Sequence, residues 1–288
     1  MELHDAGRDP GNADHWRALG LDFDEALEVL NARLNEAFAP PSTLSRMGVP
    51  SRSIPSHPAG GLLVGGEYHD RTAVVTRTDA EGLMVVGFYP FLEQGGQVRA
   101  RLMRVAEFDH GLMARVEVNV ELSEDVVIPV TFFDPMYARD WPHYAALDDA
   151  PLSLLLSGLA YTIEVVEPAT LPLDLGPLRE ALAKAGVTDL DALPDASTVS
   201  TQGMSVFLPA GGSNEDDWSF QGQVTAIEAR VVCGQEAWLA KVRVAGTDGA
   251  ELRLPVLFTR AALRGRLPEV GEDVGGVLWL QGWLWGPA

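Results

Sequence analysis

The sequence predicts a mainly β fold in which one small antiparallel barrel is followed by a copy of itself, with a helix at the N-terminus and a helical connection between the copies. Three observations carry this expectation. Gly96 to Phe133 (GQVRARLMRVAEFDHGLMARVEVNVELSEDVVIPVTFF) returns without a gap as Gly222 to Thr259 (GQVTAIEARVVCGQEAWLAKVRVAGTDGAELRLPVLFT). About a dozen identities in roughly forty positions, in one order within one chain, read as duplication. Within each copy apolar and polar residues alternate with the period of a half-buried strand. Finally, 288 residues that are 47% hydrophobic and 22% charged have room for two folded cores.

In chain order, the acidic start (MELHDAGRDPGNADHWRALG) shows little periodicity and predicts a poorly ordered segment with one turn of helix around Trp16. From Asp22 the pattern sharpens. Phe23, Leu27, Leu30, Leu34 and Phe38 recur at helical spacing, Asp22 and Glu25 form a capping box, and Pro40-Pro41 stops the helix. Its expected packing partner is the first sheet. Ser42 to Gly66 is rich in Pro, Ser and Gly and reads as a linker or long loop. Arg71 to Thr78 and Leu83 to Phe91 form a hairpin about Asp79-Ala80-Glu81-Gly82.

The first repeat then buries Val98, Ala100 and Leu102 on one face, leaving Arg99 and Arg101 on the other; Ala114, Val116, Val118 and Val120 point inward against Arg115, Glu117, Asn119 and Glu121. A third strand carries Ile128, Val130 and Phe132, and Pro129, which cannot donate to a ladder, places that strand on an edge or past a bulge. Asp134 to Ala150 interrupts the strands, and Leu154 to Val166 closes the unit. Asp174 to Gly186 predicts the connecting helix, Asp191 to Gln202 a polar linker, and Gly211 to Asp217 an exposed acidic loop. Trp279, Trp283 and Trp285 share one face of the last strand, as in a core or an interface.

The expected divisions are therefore an N-terminal helix and linker over 1–66, a first barrel over 67–168, a connector over 169–203 and a second barrel over 204–288. Equivalent positions are Val116 with Val242, and Phe132 with Phe258, all inward. Outlying blocks extend the match: Ser157-Gly158-Leu159 to Gln281-Gly282-Trp283, and Phe88-Tyr89-Pro90 to Phe207-Leu208-Pro209. In strand number and order, with a segment inserted after the third strand, each unit resembles a small Greek-key barrel of the oligonucleotide/oligosaccharide-binding (OB) kind. No residue motif accompanies the resemblance, so it implies a fold and no functional residues.

A net charge of −20 repels phosphate backbones and anionic membranes, so a basic or neutral protein partner is expected rather than nucleic acid or lipid. No run of about eighteen apolar residues and no secretory leader is visible. The single cysteine, Cys233, excludes an internal disulfide, and the expected address is the cytoplasm.

No catalytic constellation stands out in the sequence. The histidines are scattered, with Glu67, His69 and Asp70 the nearest approach to a metal cluster, and read better as a solvated turn. Cys233 sits in a turn without a histidine base, Gly-x-Ser-x-Gly does not occur, and the glycine pairs 60–61 and 65–66 have no following lysine. The sequence supports no enzyme class and calls for no cofactor or metal.

The most suggestive recognition feature is the aromatic stretch carrying Phe133, Met136, Tyr137, Trp141, His143 and Tyr144; its competing reading is a plug at one end of a barrel. The leading expectation is a non-enzymatic acidic adaptor that binds another protein through such loops, with Glu215, Asp216 and Asp217 contributing to its field. The alternative is a single-stranded nucleic-acid binder, in which Arg99, Arg101 and Arg115 line a stacking groove.

Overall fold

The computed structural model describes residues 3–5, 15–37, 58–65, 71–80, 82–108, 111–145, 151–174, 176, 184, 196–212, 214–247 and 249–285. The fold is mainly β. The strands are β1 (Leu3–Asp5), β2 (Gly60–Gly65), β3 (Arg71–Asp79), β4 (Gly82–Phe91), β5 (Gly96–Phe108), β6 (Met113–Glu121), β7 (Val127–Asp134), β8 (Leu152–Val165), β9 (Thr170–Asp174) and β10 (Ala196–Ser200). They continue as β11 (Val206–Pro209), β12 (Asp217–Val232), β13 (Gln235–Thr247), β14 (Ala250–Thr259), β15 (Leu263–Arg264) and β16 (Asp273–Leu284). A 3-10 helix covers His15–Leu19, and the α-helices are α1 (Phe23–Ala37) and α2 (Tyr137–Ala145).

Eleven strands form one mixed sheet; β2-β3-β4 and β9-β10 are separate small sheets. Pairings followed from β5 through β6, β7, β16 and β8 return to β5, and those followed from β12 through β13, β14, β8 and β16 return to β12. Both circuits share the antiparallel pair β8–β16, in which Ser157 faces Gln281, Gly158 faces Leu280 and Leu156 faces Gly282. The closing contacts are brief and parallel: Phe133 with Gln281 in one circuit, Val256 with Gly158 and Leu257 with Leu159 in the other. One apolar cluster draws on both circuits, including Val116, Phe132, Leu154, Val242, Leu254 and Leu280.

The expected hairpin is present, with β3 and β4 paired antiparallel. The alternation in β5 to β7 is also as expected, with Val116, Val118, Val120, Val130 and Phe132 buried. Pro129 lies where β7 has β6 on one side and no recorded pairing on the other, so its missing N–H leaves no ladder position empty. The two-residue turn Cys233-Gly234 between β12 and β13 has positive φ at both positions, 48° and 74°, the type I′ geometry that matches strand twist.

Other expectations are corrected. Val116 pairs with Phe132, whereas Val242 pairs with Leu254 and Phe258 with Trp238, so the gapless alignment does not preserve register. The proposed Phe88/Phe207 equivalence joins unlike strands, since β4 belongs to the three-stranded sheet and β11 pairs with β12. Part of the Pro/Ser/Gly-rich linker, Gly60–Gly65, is strand β2, and part of the polar linker after residue 191 is strand β10. Short runs of Leu-Val or Thr-Val suffice for a strand when a neighbour supplies the ladder. The connecting helix expected from Asp174 lies almost wholly outside the described residues, as do Glu67, His69 and Asp70.

At the N-terminus, Asp22 Oδ1 accepts from the Glu25 N–H and Glu25 Oε2 accepts from the Asp22 N–H, both at 2.9 Å, a reciprocal capping box for α1. The helix packs on β2 and β3; Leu30 of the expected stripe is buried, but Ala26 is buried beside it in place of Phe23, which is exposed. The turn of helix expected around Trp16 is present as the 3-10 helix His15–Leu19. His15, Trp16, Ala18 and Leu19 are buried, and Trp16 Nε1 donates to the Phe88 carbonyl at 3.2 Å.

Candidate functional site

The aromatic stretch after β7 turns inward. Phe133, Met136, Tyr137 and Tyr144 are buried, Trp141 is half-buried, and His143 alone of the expected contact residues there is exposed. Asp134 organises the turn into α2: one carboxylate oxygen accepts from the Met136 N–H at 2.7 Å and the other from the Tyr144 hydroxyl at 2.9 Å. Burial, then the neighbouring Asp140 charge, holds the Asp134 carboxyl well above the usual range. Tyr137 stacks on Tyr144 with ring centroids 5.7 Å apart and donates its hydroxyl to Glu107. Asp140 accepts from the Leu284 N–H at 3.2 Å and pairs with Arg139, fixing α2 to the end of β16. Most of the segment's rings pack inward, and Tyr137, Tyr144 and Asp134 find local hydrogen-bond partners.

Asp216 departs furthest from expectation. It was assigned to an exposed acidic loop, yet it is fully buried. Its Oδ1 lies 2.7 Å from Arg115 Nε, its Oδ2 accepts from Trp279 Nε1 at 2.7 Å, and its carbonyl accepts from the Leu280 N–H at 2.9 Å. Desolvation pushes its carboxyl up to about 6 against the opposing pull of the Arg115 charge. Arg115 is correspondingly buried, its guanidinium 5.1 Å from the centre of the Phe108 ring, and does not share the open face of Arg99 and Arg101. The strand face opposite Val116 is covered here by a second apolar cluster that includes Phe108, Met113, Phe133 and Trp279. The alternation of Trp218 and Phe220 marks the start of β12 as buried, directly beside Asp216.

What remains open is the outer face of β5 to β7 and the loop that ends at Asp216. Arg99 and Arg101 both pair with Glu121, at 3.1 and 2.5 Å; Arg104 pairs with Glu117 at 3.3 Å and with Glu215 at 3.2 Å. The cross-strand register produces this ladder, since Arg99 faces Glu121 and Arg104 faces Glu117. Met103, the extra residue of the bulge between Leu102 and Arg104, is exposed beside Asn119. Two shallow clefts border the ladder. One, of about 320 Å³, is lined by Arg104, Glu117, Thr131, Pro209, Asn214 and Glu215; the other, of about 480 Å³, by Arg99, Arg101, Glu121, Ser123, Glu124 and Val127. Asp217 accepts from the Asn214 amide at 3.2 Å and thereby pins the loop base.

Among the described residues no group of three or more His, Cys, Asp and Glu side chains is placed to hold a metal ion, and no helix is long and apolar enough to cross a membrane. No family model, curated protein or solved structure matches the chain.

Proposed function

We propose that the chain is a non-enzymatic adaptor that docks a protein partner on the outer face of β5 to β7, built on a duplicated OB-like unit whose fourth strand is shared between the copies. The fold part of this reading is supported by order. In each half three antiparallel strands are followed by a segment that leads to a strand on the shared seam, β8 or β16, and each seam strand lies parallel to the third strand of the other half. The changed register between halves is what divergence after duplication leaves when core contacts are rebuilt.

The observation that carries the functional part is the ladder of Arg99, Arg101 and Arg104 against Glu121, Glu117 and Glu215. Exposed pairs of this kind contribute little stability, on the order of 0 to 1 kcal/mol each. They do present alternating charge at fixed spacing, which sets register and orientation for a complementary surface. The same pairing argues against a phosphate backbone, because each arginine already faces a carboxylate and the whole chain carries −20.

The test compares the intact protein with a face variant, Glu117→Lys with Glu121→Lys and Glu215→Lys, as bait in native lysate, followed by direct titration of the recovered partner. The expected result is a partner held by the intact face, lost by the variant and weakened by salt. Equal recovery on both baits overturns the assignment of the face. A labelled single-stranded oligonucleotide that binds tightly at low salt, measured by fluorescence anisotropy, overturns the choice of partner class.

A further inference from the structure

The segment 15–37 lies across three parts of the molecule. Trp16 binds the Phe88 carbonyl on β4, the Ala18 carbonyl is 3.5 Å from the Thr259 hydroxyl on β14, and His15 enters the aromatic cluster at the seam. Gly20, at φ 73°, turns the chain over Ala261, where a Cβ would sit 2.7 Å from the alanine methyl. The imidazole of His15 is fully buried and stacks on Trp279 with ring centroids 3.7 Å apart and planes 3° from parallel. Its Nδ1 is 2.6 Å from the Tyr161 hydroxyl, and its Nε2 has no hydrogen-bond partner among the described residues.

This arrangement suits a neutral ring. With Nδ1–H donating to Tyr161, Nε2 presents a bare lone pair to apolar surroundings, a modest cost; a second proton creates a buried N–H⁺ without an acceptor. The Trp279 face attracts a cation and so works in the other direction. Against it stand desolvation and, second, the charge of Arg115, which together lower the His15 pKa to about 3.

We propose that the segment 15–37 is an acid-released strap, held closed by the neutral imidazole of His15 between Trp279 and Tyr161 and let go when that ring takes up a proton. Opening uncovers the ring of Trp279 and the cluster around it. The sign follows from linkage. The open strap binds a proton with the ordinary histidine affinity, the closed strap far more weakly, so closure is fully favoured above about pH 6.5 and loses about tenfold per pH unit below it, down to about pH 3.

The other groups that face the site are Tyr161 on β8, Tyr89 on β4, Arg115 on β6, Cys233 in the β12–β13 turn, and Asp216 through Trp279. Phenols and thiols ordinarily ionise only above about pH 8, and arginine stays charged throughout. Asp216, at about 6, does titrate in the window, and is the group the test must separate.

Hydrogen exchange read by mass spectrometry, corrected for intrinsic rates, compares peptides from 15–37 with peptides from β12 to β14 in the same molecule. Between about pH 7.5 and about pH 5 the strap should lose about thirtyfold in protection relative to the strands. His15→Phe, which keeps the stack and cannot titrate, should abolish that slope, and Asp216→Asn should leave it. In the wild-type protein the His15 ring, followed by NMR, should take up its proton only as the strap opens. A strap equally protected at both pH values, a slope that survives in His15→Phe, or a His15 proton uptake near pH 6.5 with the strap still protected overturns the proposal.

Discussion

Arg115 and Asp216 meet at 2.7 Å where neither side chain sees appreciable solvent, yet the carboxyl of Asp216 is raised and not lowered. Losing its hydration outweighs what one guanidinium returns, the usual outcome for a buried pair. The folded state therefore binds the Asp216 proton more tightly than the unfolded one. This group's contribution to stability is complete below about pH 3.8 and is lost as pH rises through about 6. Asp216→Asn keeps an acceptor for Trp279 and cannot ionise. The stability of wild type relative to that variant should fall by about 2 kcal/mol between about pH 4 and pH 6.5, read from urea denaturation across a pH series. A flat or rising difference would contradict it. In Arg115→Met the Asp216 midpoint should move higher still.

Gly222 is where β12 passes from β16 to β13, since Gln223 pairs with both Asp273 and Arg243. A methyl at Gly222 would lie 1.9 Å from the Arg243 carbonyl oxygen, which belongs to a paired strand and cannot step aside. Gly222→Ala should cost at least about 2 kcal/mol, seen as a lowered melting temperature. Gly212→Ala meets nothing within 4 Å and should leave the melting temperature unchanged. Equal behaviour of the two variants would mean that the crossing of β12 is misassigned.

Gln281 sits opposite Ser157 at the seam and uses its amide to hold the end of β4: Nε2 donates to the Pro90 carbonyl at 2.7 Å and Oε1 accepts from the Leu92 N–H at 3.3 Å. Gln281→Leu fills the space but leaves both backbone groups buried and unpaired, at a cost of about 2 kcal/mol or more. Exchange of the Leu92 amide should accelerate while the β13 amides keep their protection at low denaturant. An unchanged Leu92 rate would remove Gln281 as the fastener between the two sheets.

Strands were legible where the alternation was strict, as in Val116, Val118 and Val120, because a period of two has one structural meaning. Register was not. Val116 and Val242 align in sequence, but a four-residue slide keeps every side chain on its face, so periodicity cannot choose between Leu254 and Phe258 as the partner of Val242. The burial of Phe133, Tyr137 and Tyr144 was legible only as an alternative, since a run of aromatic residues between strands serves either a core or a surface and only packing decides. The helical turn at Trp16 was legible, but the burial of His15 and Trp16 was not: they form too few residues to show a period, and their packing comes from β4, β8 and β16, which are distant in sequence.

The triplet Glu215, Asp216 and Asp217 makes the limit concrete and supports a last prediction. Read as a run of charge it looks uniformly solvated, and replacing all three by serine looks harmless to the fold. The structure divides it. Glu215 is exposed and touches only Arg104 among its ion-pair partners, so Glu215→Ser should change stability by less than about 0.5 kcal/mol. Asp216→Ser removes the acceptor of Trp279 Nε1 in a site closed to water, and a buried donor left unpaired costs about 1 to 3 kcal/mol. The triple variant should therefore melt with the Asp216→Ser single variant, well below Glu215→Ser. Partner association should respond in the opposite order: Glu215→Ser slows it at low salt, because an exposed rim charge acts on encounter. If Asp216→Ser melts like wild type, the buried Arg115–Asp216–Trp279 arrangement is not what holds this loop to the seam.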